Sequence, residues 1–264
     1  MLLRSSIFLL LIAAVPAEAV ELYTCSTRWL PDNNELKFLG AAEDAMSIGI
    51  ADDGSEAIQR AVVKGPNDIA QVKLHLFNKR LDAARITFEI FLPHEFGFSV
   101  AGHKLPLGFW GGRSDSMCMA GGCPVSQQDG FSVRLTNDAG AVNLYSYHLN
   151  RGTQVELSGS QYGKVFHSGV NLPLGEWVSV SVVVKLNRPG YFNGEIWLYL
   201  AGEEVLHQTG LLFRNTWDWW IRGPLLTDLW GGNIYLWGSQ SPKDQKMWYR
   251  DYTIESLSTK PSCD

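Results

Sequence analysis

Valine alternates with polar residues along WVSVSVVVKLN, residues 177–187. Val178, Val180, Val182 and Val184 point one way; Ser179, Ser181, Val183 and Lys185 point the other. A two-residue period predicts a β-strand with one face in a core and the other free to meet solvent or ligand. The pattern recurs. ARITFEIFLP, residues 84–93, is rich in β-branched and aromatic residues and closes on a proline. EIWLYL runs between the turn pairs Asn193-Gly194 and Ala201-Gly202. GGNIYLWG and MWYRDYTIESL supply the last strands, while Asp52-Asp53-Gly54 and Lys64-Gly65-Pro66-Asn67 read as turns. Only residues 55–63 and 78–83 are expected as short helices. Short strands, Gly-rich turns and few helices predict an all-β fold, an antiparallel two-sheet β-jelly-roll sandwich.

One hairpin has an unusual polar face. In FSVRLTNDAGAVNLYSYH, residues 131–148, a loop over residues 137–140 sets Thr136 opposite Ala141, Arg134 opposite Asn143 and Ser132 opposite Tyr145. Opposed residues share a face, so Ser132, Arg134, Asn143, Tyr145 and Tyr147 project together, and a register slip of two keeps that grouping. Phe131, Val133, Leu135, Val142 and Leu144 form the other, core-facing side. An ordinary solvated face would be richer in Lys, Glu and Thr. A plainer alternative is that the tyrosines merely pack over a neighbouring strand.

Arg4, an apolar run from Ile7 to Val15 and Ala17-Glu18-Ala19 form a secretory signal peptide pattern. Residues 1–19 are therefore expected to be removed, leaving 20–264 as a single domain, secreted and monomeric. The apolar run is too short to span a bilayer. Four cysteines in a secreted chain allow three disulfide pairings. The close spacing favours Cys118–Cys123, which leaves Cys25–Cys263 to join the two ends. No Cys-x-x-Cys or His-x-x-x-His is present to suggest a metal site. The net charge of −5 argues against nucleic acid or an anionic membrane as partner. An anionic ligand would need local positive charge.

A cation, a hydroxyl, an amide and two phenols suit β-elimination on a uronic-acid polysaccharide. The C5 proton beside the carboxylate is very weakly acidic until the carboxylate is neutralised. Arginine does this with a bidentate pair, and hydroxyl or amide donors share the developing enolate charge. A phenol with a lowered pKa removes the proton, and a phenol returns one to the leaving O4 oxygen. This chemistry requires no cofactor, and a structural calcium is left open.

Here the motifs become specific. GHKLPLGFWGG (102–112), GFSVRL (130–135), YSYH (145–148), VVKLNRPGYFNGEIWLYLAGEEV (183–205) and LWGGNIYLWGSQSPKDQKMWYRDYTI (229–254) resemble polysaccharide lyase family 14. That family contains alginate and glucuronan lyases on a β-jelly roll, and the family 20 glucuronan lyases are related. The resemblance covers roughly residues 88–257. It implies that Lys104 is a cation beside the substrate carboxylate, that Ser132 and Arg134 bind there, and that Tyr145 and Tyr147 are base and acid in unassigned order. It departs from the family where Lys104-Leu105-Pro106 is followed by Leu107 before Gly108, and where Thr136-Asn137-Asp138 replaces a tryptophan. The expected substrate is a β-1,4-linked uronan, glucuronan or mannuronate-rich alginate, cut to leave an unsaturated uronate.

Further residues are placed around this site. Asn143, Lys185, His103 and Arg113 are candidate substrate contacts, with Arg151 and Lys164 adding a positive rim. His103 or His148 could act as base near neutral pH. One of Trp217, Trp219, Trp220, Trp230 and Trp237 is expected to touch sugar. A glycoside hydrolase would need two placed carboxylates, and no Glu-x-Asp-x-Glu strand occurs. A non-catalytic carbohydrate-binding module would need the aromatics and Arg134 but not both tyrosines.

Overall fold

The computed structural model describes residues 23–29, 46–66, 68–73, 80–99, 102–113, 118–119, 121, 123–152, 162–230 and 240–258. Its strands are β1 (Tyr23–Trp29), β2 (Met46–Ile50), β3 (Glu56–Val62), β4 (Gly65–Pro66), β5 (Asp68–Lys73), β6 (Ala83–Phe91), β7 (His103–Gly112) and β8 (Gly130–Asp138). They continue as β9 (Ala141–Tyr147), β10 (Lys164–Asn171), β11 (Trp177–Lys185), β12 (Gly194–Leu200), β13 (Glu203–Leu211), β14 (Trp220–Trp230), β15 (Gln240–Ser241) and β16 (Gln245–Ser258). One antiparallel sheet runs β13-β12-β11-β6-β16-β3-β2, with β1 also on β16; the other runs β10-β9-β8-β7-β14-β5. The two sheets close on a shared core in the expected jelly-roll sandwich. Ile86, Phe88, Val180, Val182 and Val184 from the first sheet meet Phe109, Phe131, Val133 and Leu144 from the second.

The expected leader, Trp237 and Cys263 lie outside the described residues, so the Cys25–Cys263 pairing does too. The predicted helix at 55–63 is a strand, β3. Its Glu, Ala, Gln and Arg favour helix locally, but β3 is hydrogen-bonded between β2 and β16 and turns Ile58 and Val62 into the core. Tertiary pairing outweighs a propensity of a few tenths of a kcal/mol per residue. The described part of the other predicted helix is extended, with Leu81 bridging Ile221 and β6 starting at Ala83. Gly65–Pro66, expected as a turn, forms the two-residue strand β4 against β15.

The β8–β9 hairpin has the predicted faces in a shifted register. Ser132 lies opposite Tyr147, Arg134 opposite Tyr145, Thr136 opposite Asn143 and Asp138 opposite Ala141. The slip comes from the turn. Ala139 (φ 51°) and Gly140 (φ 103°) both occupy positive φ and close a two-residue loop, where a four-residue loop was expected. Because the slip is two residues, every side chain keeps its face. Phe131, Val133, Leu135, Val142 and Leu144 are fully buried, each contributing about 1.5–3 kcal/mol. That buried face fixes the direction in which the polar face points.

Candidate active site

Three neighbouring strands of the six-stranded sheet build the site on its outer face. β9 carries Tyr145 and Tyr147, β8 carries Ser132 and Arg134, and β7 carries Lys104. The tyrosine hydroxyls are 3.0 Å apart and their rings meet edge to face. Gly163 N–H donates to Tyr145 Oη at 2.9 Å. A Cβ at Gly163 would lie 2.7 Å from the Tyr145 ring, so that approach needs glycine. Lys104 Nζ lies 5.5 Å from the Tyr145 ring centre, and the Arg134 and Arg151 guanidinium carbons lie 5.9 and 5.1 Å from that of Tyr147. Lys104 and Tyr145 are half-buried, whereas Arg134 and Tyr147 are buried.

Arg134 is the electrostatic anomaly of the site. It is 5 % exposed, yet among the described residues it has no carboxylate within ion-pair distance, and its Nε has no hydrogen-bond partner. A buried cation without a counter-ion is costly, and burial pulls its pKa below the ordinary arginine value. Lys104 responds to the same surroundings. Burial, then repulsion from Arg134, lowers its pKa to about 7, with Asp138 pulling the other way. Burial, then Tyr147, pushes Tyr145 far above the ordinary phenol range and outweighs the opposing pull of Arg134. The site therefore holds a lysine that is partly neutral near pH 7 and a Tyr145 that stays protonated.

Lys104 is set by an irregularity in β7. It lies opposite Thr136, while Gly108 lies opposite Arg134, so two extra residues of β7 bulge between them. Leu105 and Leu107 anchor the bulge in the core, and the Tyr252 hydroxyl donates to Pro106 O from the opposite sheet at 3.2 Å. Leu107, the departure from the family motif, is thus absorbed as core.

Several predicted contacts serve the scaffold. Ser132 is fully buried and donates to Met119 O at 2.9 Å. The Asn143 amide donates to Asp138 at 2.9 Å and accepts from Ser168 N–H at 3.1 Å. Arg151 is not a rim cation: it donates to the carbonyls of Tyr162, His148 and Cys123 and to the Gln128 side chain. The bond from Ser132 and that from Arg151 button the Cys118–Cys123 loop onto the hairpin, and Trp110 packs with Met119 and Leu225 under it. Gln128, Met119 and Gly163 carried no signal in sequence, because their roles depend on loops folding back over β8 and β9.

Two placements are corrected. Lys185 lies in the other sheet, on the side away from the core, where it pairs with Glu195 at 2.5 Å. Strand alternation showed which face it occupied but not which sheet. His103 faces the core, 1 % exposed, stacked on Trp230 at 3.9 Å with Nε2 3.4 Å from Asp228. Arg113 is exposed and pairs with Asp218 at 2.8 Å. His148 is buried against Phe166, and burial, then Arg151, lowers its pKa to about 3, so it is neutral at physiological pH. Lys164 sits exposed on β10 over Phe166. Among the described residues, no group of three or more His, Cys, Asp or Glu is placed to hold a metal ion.

The Cys118–Cys123 loop gives a first test. A six-residue loop of this kind contributes about 2 kcal/mol in the chain-entropy model. The Cys118→Ser/Cys123→Ser variant should melt lower. It should also lose kcat severalfold, because Ser132 and Arg151 then hold a looser cover over Tyr147. Thermal melts and steady-state kinetics on the same sample check both effects.

The outer face of this two-sheet sandwich thus carries paired phenols, a lysine with a lowered pKa and a buried arginine without a carboxylate partner among the described residues. The family model described as polysaccharide lyase 14 matches residues 41–252. The chain belongs to the polysaccharide lyase 14 family and is a polysaccharide lyase. A search of curated proteins gives no match. The structure resembles the marine PL-14 alginate lyase from Aplysia kurodai, with TM-score 0.68 and 21 % identity, covering 91 % of this chain and 100 % of that one. It resembles an alginate lyase from Chlorella virus, with TM-score 0.61 and 15 % identity over 80 % and 88 % of the chains. It also resembles an endo-β-1,4-glucuronan lyase from the fungus Trichoderma reesei, with TM-score 0.60 and 11 % identity over 88 % and 96 %. At these identities the likeness shows the shared fold.

Proposed function

We propose that this polysaccharide lyase cuts β-1,4-linked uronans, glucuronan or mannuronate-rich alginate, by β-elimination. The observation that carries the reading is Arg134, a buried guanidinium with no carboxylate partner among the described residues, beside two phenols and Lys104. A uronate carboxylate supplies the missing counter-ion, and its neutralisation acidifies the neighbouring C5 proton. Similarity to alginate and glucuronan lyases supports the substrate class.

The pKa ordering suggests roles. A base must be unprotonated and within reach of substrate. Lys104 is half-buried and titrates near 7, so a large fraction is free amine at neutral pH. Lys104 takes the C5 proton, Arg134 holds the carboxylate, and the charge passes to an enolate. The electron pair then expels O4 as the C4–C5 double bond forms. Tyr145, kept protonated by burial, donates to the departing oxygen. Tyr147 orients Tyr145 through the 3.0 Å hydroxyl contact. Lys104 thus moves from carboxylate partner to base, and the tyrosines from base and acid to acid and support.

The leader pattern at residues 1–19 supports secretion, and no helix among the described residues is long and apolar enough to cross a membrane. The test is ultraviolet absorbance of the unsaturated product on glucuronan, polymannuronate, polyguluronate and a neutral glucan. One uronan should respond, and Tyr145→Phe should lose roughly 10²- to 10⁴-fold in kcat, the usual worth of a general acid. Retention on a uronan gel without product from any uronan would leave a binding module instead.

A further inference from the structure

Arg151 lies against the tyrosine pair, yet the elimination above gives it no part. Of the tryptophans singled out in the sequence, Trp219 and Trp230 are buried, Trp217 is exposed against Arg214 and Trp220 lies under the Arg222 guanidinium. Arg151 is 4 % exposed, with its guanidinium carbon 5.1 Å from the Tyr147 ring centre. Its Nε donates to Tyr162 O at 3.0 Å, Nη1 to His148 O at 3.0 Å and to the Gln128 side chain, and Nη2 to Cys123 O at 2.8 Å. Each of these acceptors is neutral. They occupy four of the five guanidinium N–H groups. What remains is too little for a two-point grip on a carboxylate, so Arg151 keeps its charge and does not hold substrate.

The bond to Tyr162 O is the one that reaches the chemistry. Tyr162 C=O and Gly163 N–H belong to one planar trans peptide unit, so they point in opposite directions. Arg151 takes the oxygen at 3.0 Å, and Tyr145 Oη accepts from the nitrogen at 2.9 Å. One rigid group thus joins the cation to the phenol. A cation on the oxygen polarises the peptide and makes its N–H a stronger donor, as in other hydrogen-bond chains of low dielectric. The fit is close: a Cβ at Gly163 would lie 2.7 Å from the Tyr145 ring and 2.9 Å from Ser146 O. The same guanidinium lies over the ring of Tyr147, whose hydroxyl is 3.0 Å from that of Tyr145. The other charged or titratable groups around the pair are Lys104 on β7 and Arg134 on β8, with His148 and Lys164 on the Arg151 side.

We infer that Arg151 is a positioning residue for the elimination: through the Tyr162–Gly163 peptide it holds and strengthens the N–H that stabilises Tyr145 as a phenolate once its proton has gone to O4. The inference rests on the role proposed above for Tyr145. In that step the Tyr145 O–H bond breaks as the O4–H bond forms. The negative charge left on Oη meets two donors, Gly163 N–H and the Tyr147 hydroxyl. The proton that Lys104 took from C5 returns to the phenolate before the next turnover, which restores the enzyme. Burial makes Tyr145 a reluctant donor, because it holds the phenol far above its ordinary pKa. A hydrogen bond that strengthens as charge develops on Oη offsets this in the transition state and leaves ground-state binding unchanged. Arg151 therefore acts on kcat and not on KM.

The test is a double-mutant cycle on the uronan that wild type cuts, with circular dichroism confirming each fold. Arg151→Met should lower kcat about 10- to 100-fold, the equivalent of one charge-assisted hydrogen bond, with KM within about twofold of wild type. Arg151→Lys keeps the charge without the fork and should recover part of that loss; it carries the test if Arg151→Met does not fold. In a Tyr145→Phe background neither substitution should lower kcat further, because the group that Arg151 serves is gone. Losses that multiply in the double variant, or a KM that rises as far as kcat falls, would make Arg151 a purely structural staple and overturn the inference. Tyr145→Phe with wild-type kcat would sink the acid role itself, and the inference with it. The peptide link is also read without turnover. In protein labelled at glycine nitrogen, the Gly163 amide proton should move upfield in both Arg151 variants as its hydrogen bond weakens. An unchanged Gly163 resonance overturns the inference whatever the activity. If no uronan gives product, the lyase reading fails separately and the Gly163 amide alone decides the link.

Discussion

Lys104→Arg is expected to lower kcat/KM by roughly 10²- to 10⁴-fold, the loss of a general base. The substitution keeps the charge and removes the basicity, because arginine stays protonated throughout the accessible pH range. It therefore separates two roles that Lys104→Ala would merge. The pH profile gives the same answer independently. The Lys104 pKa is lowered to about 7, chiefly by burial and then by Arg134. As a base, Lys104 works unprotonated, so wild-type kcat/KM should climb through an apparent pKa near 7 and stay high above it. As a cation it would work protonated, and the rate should fall through the same pKa. A falling limb, or an active Lys104→Arg enzyme, would return Lys104 to carboxylate neutralisation and the base to a tyrosine. Stability carries the same group's signature. Between about pH 7 and the ordinary value of 10.5 the unfolded chain holds a proton that folded Lys104 has released. Wild type should therefore grow more stable as pH rises through that window.

Arg134→Met should give an enzyme that is better folded and nearly inactive. The buried guanidinium lacks a carboxylate among the described residues. Replacing it with a well-packed apolar chain should stabilise by about 1–4 kcal/mol, the range seen when buried ion pairs give way to hydrophobic groups. Calorimetry should show a melting temperature several degrees higher. Activity should move the other way: losing the group that neutralises the carboxylate costs on the order of 10²- to 10³-fold in kcat. Adding an oligouronate should raise the melting temperature of wild type but not of Arg134→Met. A variant both inactive and less stable would mean that Arg134 holds the fold rather than the substrate.

Much of this site was legible because strand alternation is local. Ser132, Arg134, Tyr145 and Tyr147 were assigned to one face from residues 131–148, and a register error of two residues left that face unchanged. The motif around Lys104 added the third strand. What alternation could not supply was the second dimension. Lys185 has the right period but sits in the wrong sheet, and His103 is next to Lys104 in sequence and behind it in space. The helix expected at 55–63 failed for the same reason: β3 is a strand because β2 and β16 flank it, not because of its own residues. The working states of the side chains were equally hidden. Whether a lysine titrates near 7 or a phenol far above 10 depends on desolvation and on charges brought in from other strands.

The sequence by itself determined the all-β sandwich, the polar face of one hairpin and the residue types that meet there, since each follows from a two-residue period and short motifs. Only the tertiary structure decided which cations share that face and which stay buried without a carboxylate partner among the described residues. Sheet neighbours far apart in sequence set both distance and dielectric, and those two quantities govern the electrostatics of the site.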